Sequence, residues 1–200
     1  NGKKVLVQIE LQARFDEENN INFAEQLEAA GVQLIFGIPG LKVHSKICVI
    51  EREHEKKNRR YGFVSTGNFN ESTAKIYTDY TLFTSNQKIL KEVNKVFNFL
   101  EVSYKIKKYK HLIVSPHYTA SFISKLIDIE IQNHRNGLPS GISLKINNIT
   151  NYPLIDKLYE ASQAGVKIKM IVRGICCLVP GKKGLSENII VVSVVDKFLE

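Results

Sequence analysis

The chain has 200 residues, room for one large domain or two small ones, and 44% of them are hydrophobic, an ordinary share for a chain that buries a core. No apolar run approaches the ~20 residues that a membrane span needs, which excludes a helical membrane protein over this stretch. Lys and Arg outnumber Asp and Glu by 28 to 20, and the net charge of +8 suits polyanionic partners such as nucleic acid, nucleotides, condensed phosphates or an anionic membrane surface.

Asn1-Gly2 before Lys3-Lys4-Val5 reads as the stop of a helix running into a strand, so the chain is expected to be a fragment without a secretory leader. The first strand is predicted over Lys3 to Leu11, followed by a polar loop through Asn20. A helix is predicted over Ile21 to Ala30, with Phe23, Ala24 and Leu27 inward and Gly31 as its stop. Val32 to Phe36 is a second strand, and Gly37-Ile38-Pro39-Gly40 turns the chain into a third, Leu41 to Ile50. Arg52 to Arg60 reads as a charged hairpin loop, Tyr61 to Ser65 as its returning strand, and Thr78 to Thr84 as another. A helix with Ser85 as its cap follows from Gln87 to Leu100, and the basic run Lys105 to Lys110 marks a domain boundary. The second half is predicted as a strand at Leu112 to Val114, a long amphipathic helix to His134 and a turn at Gly137-Leu138-Pro139-Ser140-Gly141. A strand at Ile142 to Ile146, a helix at Pro153 to Ala164, and strands at Val166 to Val172 and Ile189 to Val195 complete it. Alternating strands and helices argue for an α/β sheet in each half. Cys48, Cys176 and Cys177 lack metal-ligand spacing and lie in apolar runs, as expected of a reduced, cytoplasmic compartment.

The third strand carries the first candidate chemistry. Strand side chains alternate, so His44 and Lys46 emerge side by side on one face. An imidazole supplies a nucleophile near neutral pH, and an ammonium beside it supplies fixed positive charge for phosphate oxygens. The bland alternative is a strand with two polar residues on its wet face. Ser65-Thr66-Gly67-Asn68-Phe69-Asn70-Glu71 adds a glycine and two amides on a turn directly after a strand, where N–H groups and carboxamides can converge on a small anion. His54, His111, His117 and His134 fall in loops or at helix ends and read as surface residues. The halves also share a weak repeat: Asn1 to Val7 parallels Ala164 to Met170, and Val32 to Phe36 parallels Ile189 to Ser193. Val32 lies twelve residues before His44, and the same count from Ile189 reaches position 201. A second reactive group is therefore expected just past Glu200.

His44-Ser45-Lys46 followed by Gly67-Asn68-Phe69-Asn70 resembles one half of the phospholipase D-like fold, although Glu51 stands where that family carries an aspartate. A closer resemblance covers nearly the whole chain. The stretches Glu10 to Glu18, Pro39 to Lys46, Ser65 to Asn70, Ile76 to Tyr80, Gly137 to Gly141 and Ile171 to Cys176 are similar, in order, to the bacterial polyphosphate kinases of class 1. That resemblance implies two phospholipase D-like domains, residues 1–106 and the leading part of a second over 107–200. Each would be a mixed sheet flanked by helices, and both would be incomplete. It implies reversible transfer of the terminal phosphate between ATP and polyphosphate through a phosphohistidine. His44 matches the phosphorylated residue. Tyr77 and Arg173 match nucleotide contacts, and Arg14 matches a position beside the nucleotide's Mg²⁺, where an arginine acts as a phosphate clamp and not as a ligand.

With that chemistry, Lys46, Arg14 and Arg173 would hold phosphate oxygens, with Asn68 and Asn70 as neutral donors. The expected partners are ATP or ADP and polyphosphate rather than nucleic acid, in a full-length homo-oligomer that is cytoplasmic and compatible with peripheral membrane association. The fragment itself is expected to be inactive. Two other classes stay open from the residues: a phosphodiesterase or nuclease of the phospholipase D type, and a non-catalytic polyanion-binding module.

Overall fold

The structure, a computed structural model, describes residues 2–10, 17–54, 57–102 and 107–194. It divides into two compact units that meet in the chain between Leu112 and Ile113. Arg14, the end of the predicted first strand and part of the predicted boundary run lie outside the described residues.

In the first unit, strand β1 (Leu6–Ile9) leads into helix α1 (Glu17–Ala29), and β2 (Gln33–Phe36) returns parallel to β1 with Leu6 opposite Gln33. Helix α1 starts a turn earlier than predicted, with Glu17 and Glu18 in its first turn, where carboxylates suit the helix dipole. Ala24 is buried as expected, but Phe23 points to solvent and is 60% exposed.

A second sheet follows: β3 (Lys46–His54), β4 (Lys57–Ser65) and β5 (Thr81–Thr84), antiparallel in the order β3-β4-β5. Two expectations change here. The charged stretch predicted as a loop continues both strands of the hairpin, pairing Glu51 with Arg60 and His54 with Lys57. The strand predicted from Leu41 enters the ladder only at Lys46. Gly37 and Gly40 hold positive φ, and Leu41 bridges back to Ile38, while Ser65, the last residue of β4, is the partner of Lys46. Residues 42–45, His44 among them, precede the ladder.

The four-residue helix α2 (Glu71–Ala74) sits between β4 and β5, and α3 (Gln87–Glu101) closes the unit. Asn86, not Ser85, caps α3: its side chain accepts from the N–H groups of Lys88 and Ile89. Leu90 and Val93 are fully buried. Gly62 lets α3 and β3 come close to β4, because a Cβ there would meet the Cys48 carbonyl oxygen at 2.1 Å and Leu90 Cδ2 at 3.0 Å. Glu92, also buried, accepts N–H bonds from Lys110, His111 and Leu112 at 2.8, 2.8 and 3.0 Å, and so fastens the end of the unit to α3.

The second unit begins irregularly, without the strand predicted at Leu112. Helix α4 (Thr119–Arg135) is followed by β6 (Ile142–Ile146), α5 (Tyr152–Gln163), β7 (Ile168–Val172) and β8 (Ile189–Val192). The sheet is parallel throughout, in the order β6-β7-β8. Ile127 and Ile131 of α4, Ile155 and Leu158 of α5, and Ile168, Met170 and Val172 of β7 form one buried cluster. All three cysteines are free, and Cys176 and Cys177 are exposed rather than buried in a strand.

Candidate active site

The segment that carries His44 is held by side chains instead of a ladder. Val43 N–H donates to Glu10 Oε2 at 3.1 Å, and the Lys46 ammonium donates to the His44 carbonyl at 2.8 Å. The same ammonium lies 3.1 Å from both nitrogens of the His44 ring. Its charge opposes a second positive charge on the ring, so this contact favours the neutral imidazole. Burial, then the cations Lys46 and Lys42, hold His44 below its ordinary pKa. Lys46 is only 7% exposed, which does not fit the bland alternative of two polar residues on a wet face. Burial lowers its pKa, Asp79 pulls it back up and Lys42 lowers it further.

His44, Lys46, Asn68 and Asn70 line one cavity of about 950 Å³, so the structure brings four of the sequence candidates together. Asn70 has a second duty: its Oδ1 accepts from Thr73 N–H at 3.0 Å and caps α2. Gly67 is packed against Asp79, since a Cβ there would come within 2.5 Å of Asp79 Oδ2. Asp79 is fixed by the Thr66 hydroxyl at 2.8 Å. Tyr77 is half-buried just after α2, and its N–H bonds to the Thr73 carbonyl at 3.0 Å; it is not among the residues lining this cavity. Glu51 is committed to structure, accepting from Arg60 Nε at 2.5 Å and from Asn94 Nδ2 at 2.6 Å.

Arg173 belongs to the second unit and stands just after β7, at the carboxyl end of a parallel sheet, the usual ligand end of such sheets. Its Nε donates to Asn147 Oδ1 at 3.1 Å, and its backbone N–H to the Ile146 carbonyl at 3.2 Å.

Glu10 and Asp79 are the site residues that sequence reasoning missed. Both lie inside stretches similar to the kinases, but only the tertiary structure brings one to Val43 and sets the other beside Gly67. Among the described residues no group of three or more His, Cys, Asp or Glu side chains could hold a metal ion. The charged groups set against the His44 ring are the cations Lys46 and Lys42, which do not suit a resident Mg²⁺ beside it.

Fold and site together define an α/β protein with an imidazole held against an ammonium, an arrangement suited to phosphoryl chemistry. Comparison with known proteins narrows the class. Residues 1–107 match the model for polyphosphate kinase C-terminal domain 1, and residues 112–200 match that for polyphosphate kinase C-terminal domain 2. Over all 200 residues the chain is 50% identical to a polyphosphate kinase of Vibrio vulnificus (strain YJ016) and 49% identical to that of Escherichia coli (strain K12). It spans 29% of the length of each. The crystal structure of polyphosphate kinase from Porphyromonas gingivalis matches the whole chain with a TM-score of 0.83 at 42% identity, over 33% of that chain. The chain belongs to the polyphosphate kinase family. Its α/β fold, with sheets flanked by helices, is the fold expected from the sequence.

Proposed function

We propose that this chain is part of an enzyme that moves the terminal phosphate of ATP onto inorganic polyphosphate, reversibly, through a phosphohistidine on His44. The observation that carries the reading is the Lys46 ammonium lying against the His44 ring. It favours the neutral, nucleophilic imidazole and sets a positive charge where phosphate oxygens would arrive. A ring nitrogen attacks the γ-phosphorus, a P–N bond forms, and the bond to the bridging oxygen breaks with its electron pair leaving on ADP. A terminal polyphosphate oxygen then attacks the same phosphorus and frees the imidazole. Such transfers ask mainly for alignment and for positive charge or N–H donors around the equatorial oxygens. Lys46, Asn68 and Asn70, which line the cavity with His44, would supply these from the first unit. Arg173, Tyr77 and Arg14 take the nucleotide by resemblance to the family. Mg²⁺ enters only as the counter-ion that ATP brings with it, and no protein ligand is assigned to it.

ATP as donor places the reaction in the cytoplasm; among the described residues no helix is long and apolar enough to cross a membrane. The whole protein would act as a homo-oligomer, and the 200 residues alone would be inactive, because a second reactive group is expected outside them. Incubating the full-length protein with γ-labelled ATP tests the assignment: acid-labile, base-stable label should appear, and His44→Ala should abolish it. Label that persists in that variant would exclude His44. An unlabelled protein that cuts a phosphodiester would point to the nuclease class instead.

A further inference from the structure

At the carboxyl end of its sheet, the second unit keeps the register of β6 and β7 after both strands have ended. Ile146 is the partner of Val172, so Asn147 falls opposite Arg173 and Asn148 opposite Gly174. Backbone bonds carry the pairing onward. Arg173 N–H donates to the Ile146 carbonyl at 3.2 Å, Gly174 N–H to the Asn147 carbonyl at 2.7 Å and Ile149 N–H to the Ile175 carbonyl at 2.9 Å. Opposite residues of a parallel pair share a face, and the face alternates along the chain. Two adjacent asparagines therefore meet two different partners.

Asn148 holds backbone. Its Oδ1 accepts from Ile175 N–H at 2.7 Å, and a Cβ on Gly174 would lie 2.5 Å from that oxygen, so the glycine is what lets the carboxamide cross. Asn147 holds a side chain. Its Oδ1 accepts from Arg173 Nε at 3.1 Å, while its own carbonyl serves Gly174. From the β8 side, the Ser193 hydroxyl donates to the Arg173 carbonyl at 3.4 Å. Three residues thus fix Arg173: Ile146 at its N–H, Ser193 at its carbonyl and Asn147 at its Nε.

The bond at Nε does what the two backbone bonds cannot. A guanidinium is a rigid plane whose donors match a phosphate only in the right orientation. Nε joins that plane to the aliphatic stem, so an acceptor there fixes how the plane is turned. A side chain ordered before its ligand arrives does not lose that freedom on binding. The carboxamide oxygen is also neutral, and so orients the cation without cancelling the charge that a phosphate oxygen needs; a carboxylate at the same place would do both. We infer that Asn147 is a positioning residue, which sets the Arg173 guanidinium for the phosphates of the nucleotide, an inference that rests on Arg173 taking the nucleotide. Asn147 would act on the ligand only through Arg173, and would serve binding more than the transfer step.

Steady-state kinetics of the full-length protein at saturating polyphosphate test this. Asn147 is exposed, so its truncation leaves no cavity in the unit. Asn147→Ala should raise the KM for ATP by about 5- to 10-fold, the effect of one long side chain left to be ordered by its ligand, and change kcat by less than about 2-fold. In an Arg173→Lys background, which keeps the charge but has no plane to orient, the same substitution should change KM by less than about 2-fold. Asn148→Ala should instead lower the melting temperature and leave the KM for ATP within about 2-fold of its starting value. A KM raised equally by Asn147→Ala and Asn148→Ala, or raised by Asn147→Ala in both backgrounds, would overturn the inference, because it would mean a loosened turn in place of an oriented arginine. Arg173→Ala tests the underlying reading separately. ATP kinetics unchanged in that variant would remove Arg173 from the nucleotide, and the inference with it. Kinetics impaired by Arg173→Ala but untouched by Asn147→Ala would overturn the positioning role alone.

Discussion

Lys46 is buried and His44 is exposed, and the ammonium adds to partial desolvation in holding the pKa of the ring down. Because His44 sits below its ordinary pKa, phosphohistidine formation should persist below pH ~6.5 and fail only as the ring finally protonates. Replacing Lys46 with Gln removes a cation that opposes protonation. The acid limb of the pH profile should then move to higher pH, with kcat falling by about 10²–10³-fold. Asp79 acts in the opposite sense on Lys46. Asp79→Asn should let the ammonium lose its proton at lower pH, so the alkaline limb shifts down while the acid limb moves less; a profile shifted only on the acid side would refute this coupling. His44, Lys46, Asn68 and Asn70 were legible in the sequence because each pair lies within three residues on one strand entry or one turn. Glu10 and Asp79 were not, since Glu10 meets Val43 across 33 residues of chain and Asp79 meets Thr66 across 13.

The elements were legible where hydrophobic periodicity matched burial, as in α3, β6, α5 and β7. Phe23 and the start of β3 departed from that pattern. Local sequence could not tell which face of α1 a neighbour would cover, nor that β4 would end opposite Lys46. The charged hairpin was misread because its cross-strand pairs, Glu51 with Arg60 above all, satisfy in a ladder what looked like a solvated loop. Two substitutions test how the elements are joined. Gly62→Ala forces a methyl group onto the Cys48 carbonyl, and should cost about 3 kcal/mol or prevent folding, read as a lowered urea midpoint. Glu92→Ala strips three backbone N–H groups of their acceptor and should cost a similar amount, about 3 kcal/mol. Burial raises the Glu92 pKa, but the three N–H groups and Lys95 outweigh it and hold the carboxyl below its usual range. Its contribution is therefore complete above the ordinary carboxylate pKa and is lost as pH falls through the lowered one. The wild-type advantage over Glu92→Ala should shrink in acid.

At the scale of the whole molecule, the purified 200 residues should show no turnover of ATP with polyphosphate, and the full-length protein should show it. A rate near that of the full-length protein would refute the need for groups outside this chain. The two units also differ in what holds them. Twelve buried hydrophobic residues form the cluster of the second unit, whereas the first buries Ala24, Leu90, Val93, Phe99 and Leu100 among its described residues. Burial of apolar surface is the main stabilising term, so calorimetry of the isolated chain should resolve two transitions, the cooler one belonging to the first unit. The half that carries His44 is then the half that melts first. Heat, protease or a destabilising substitution would unfold the unit around His44 while the parallel sheet around β7 still gave a native circular dichroism signal, so a folded-looking sample is no assurance that the His44 segment is in place.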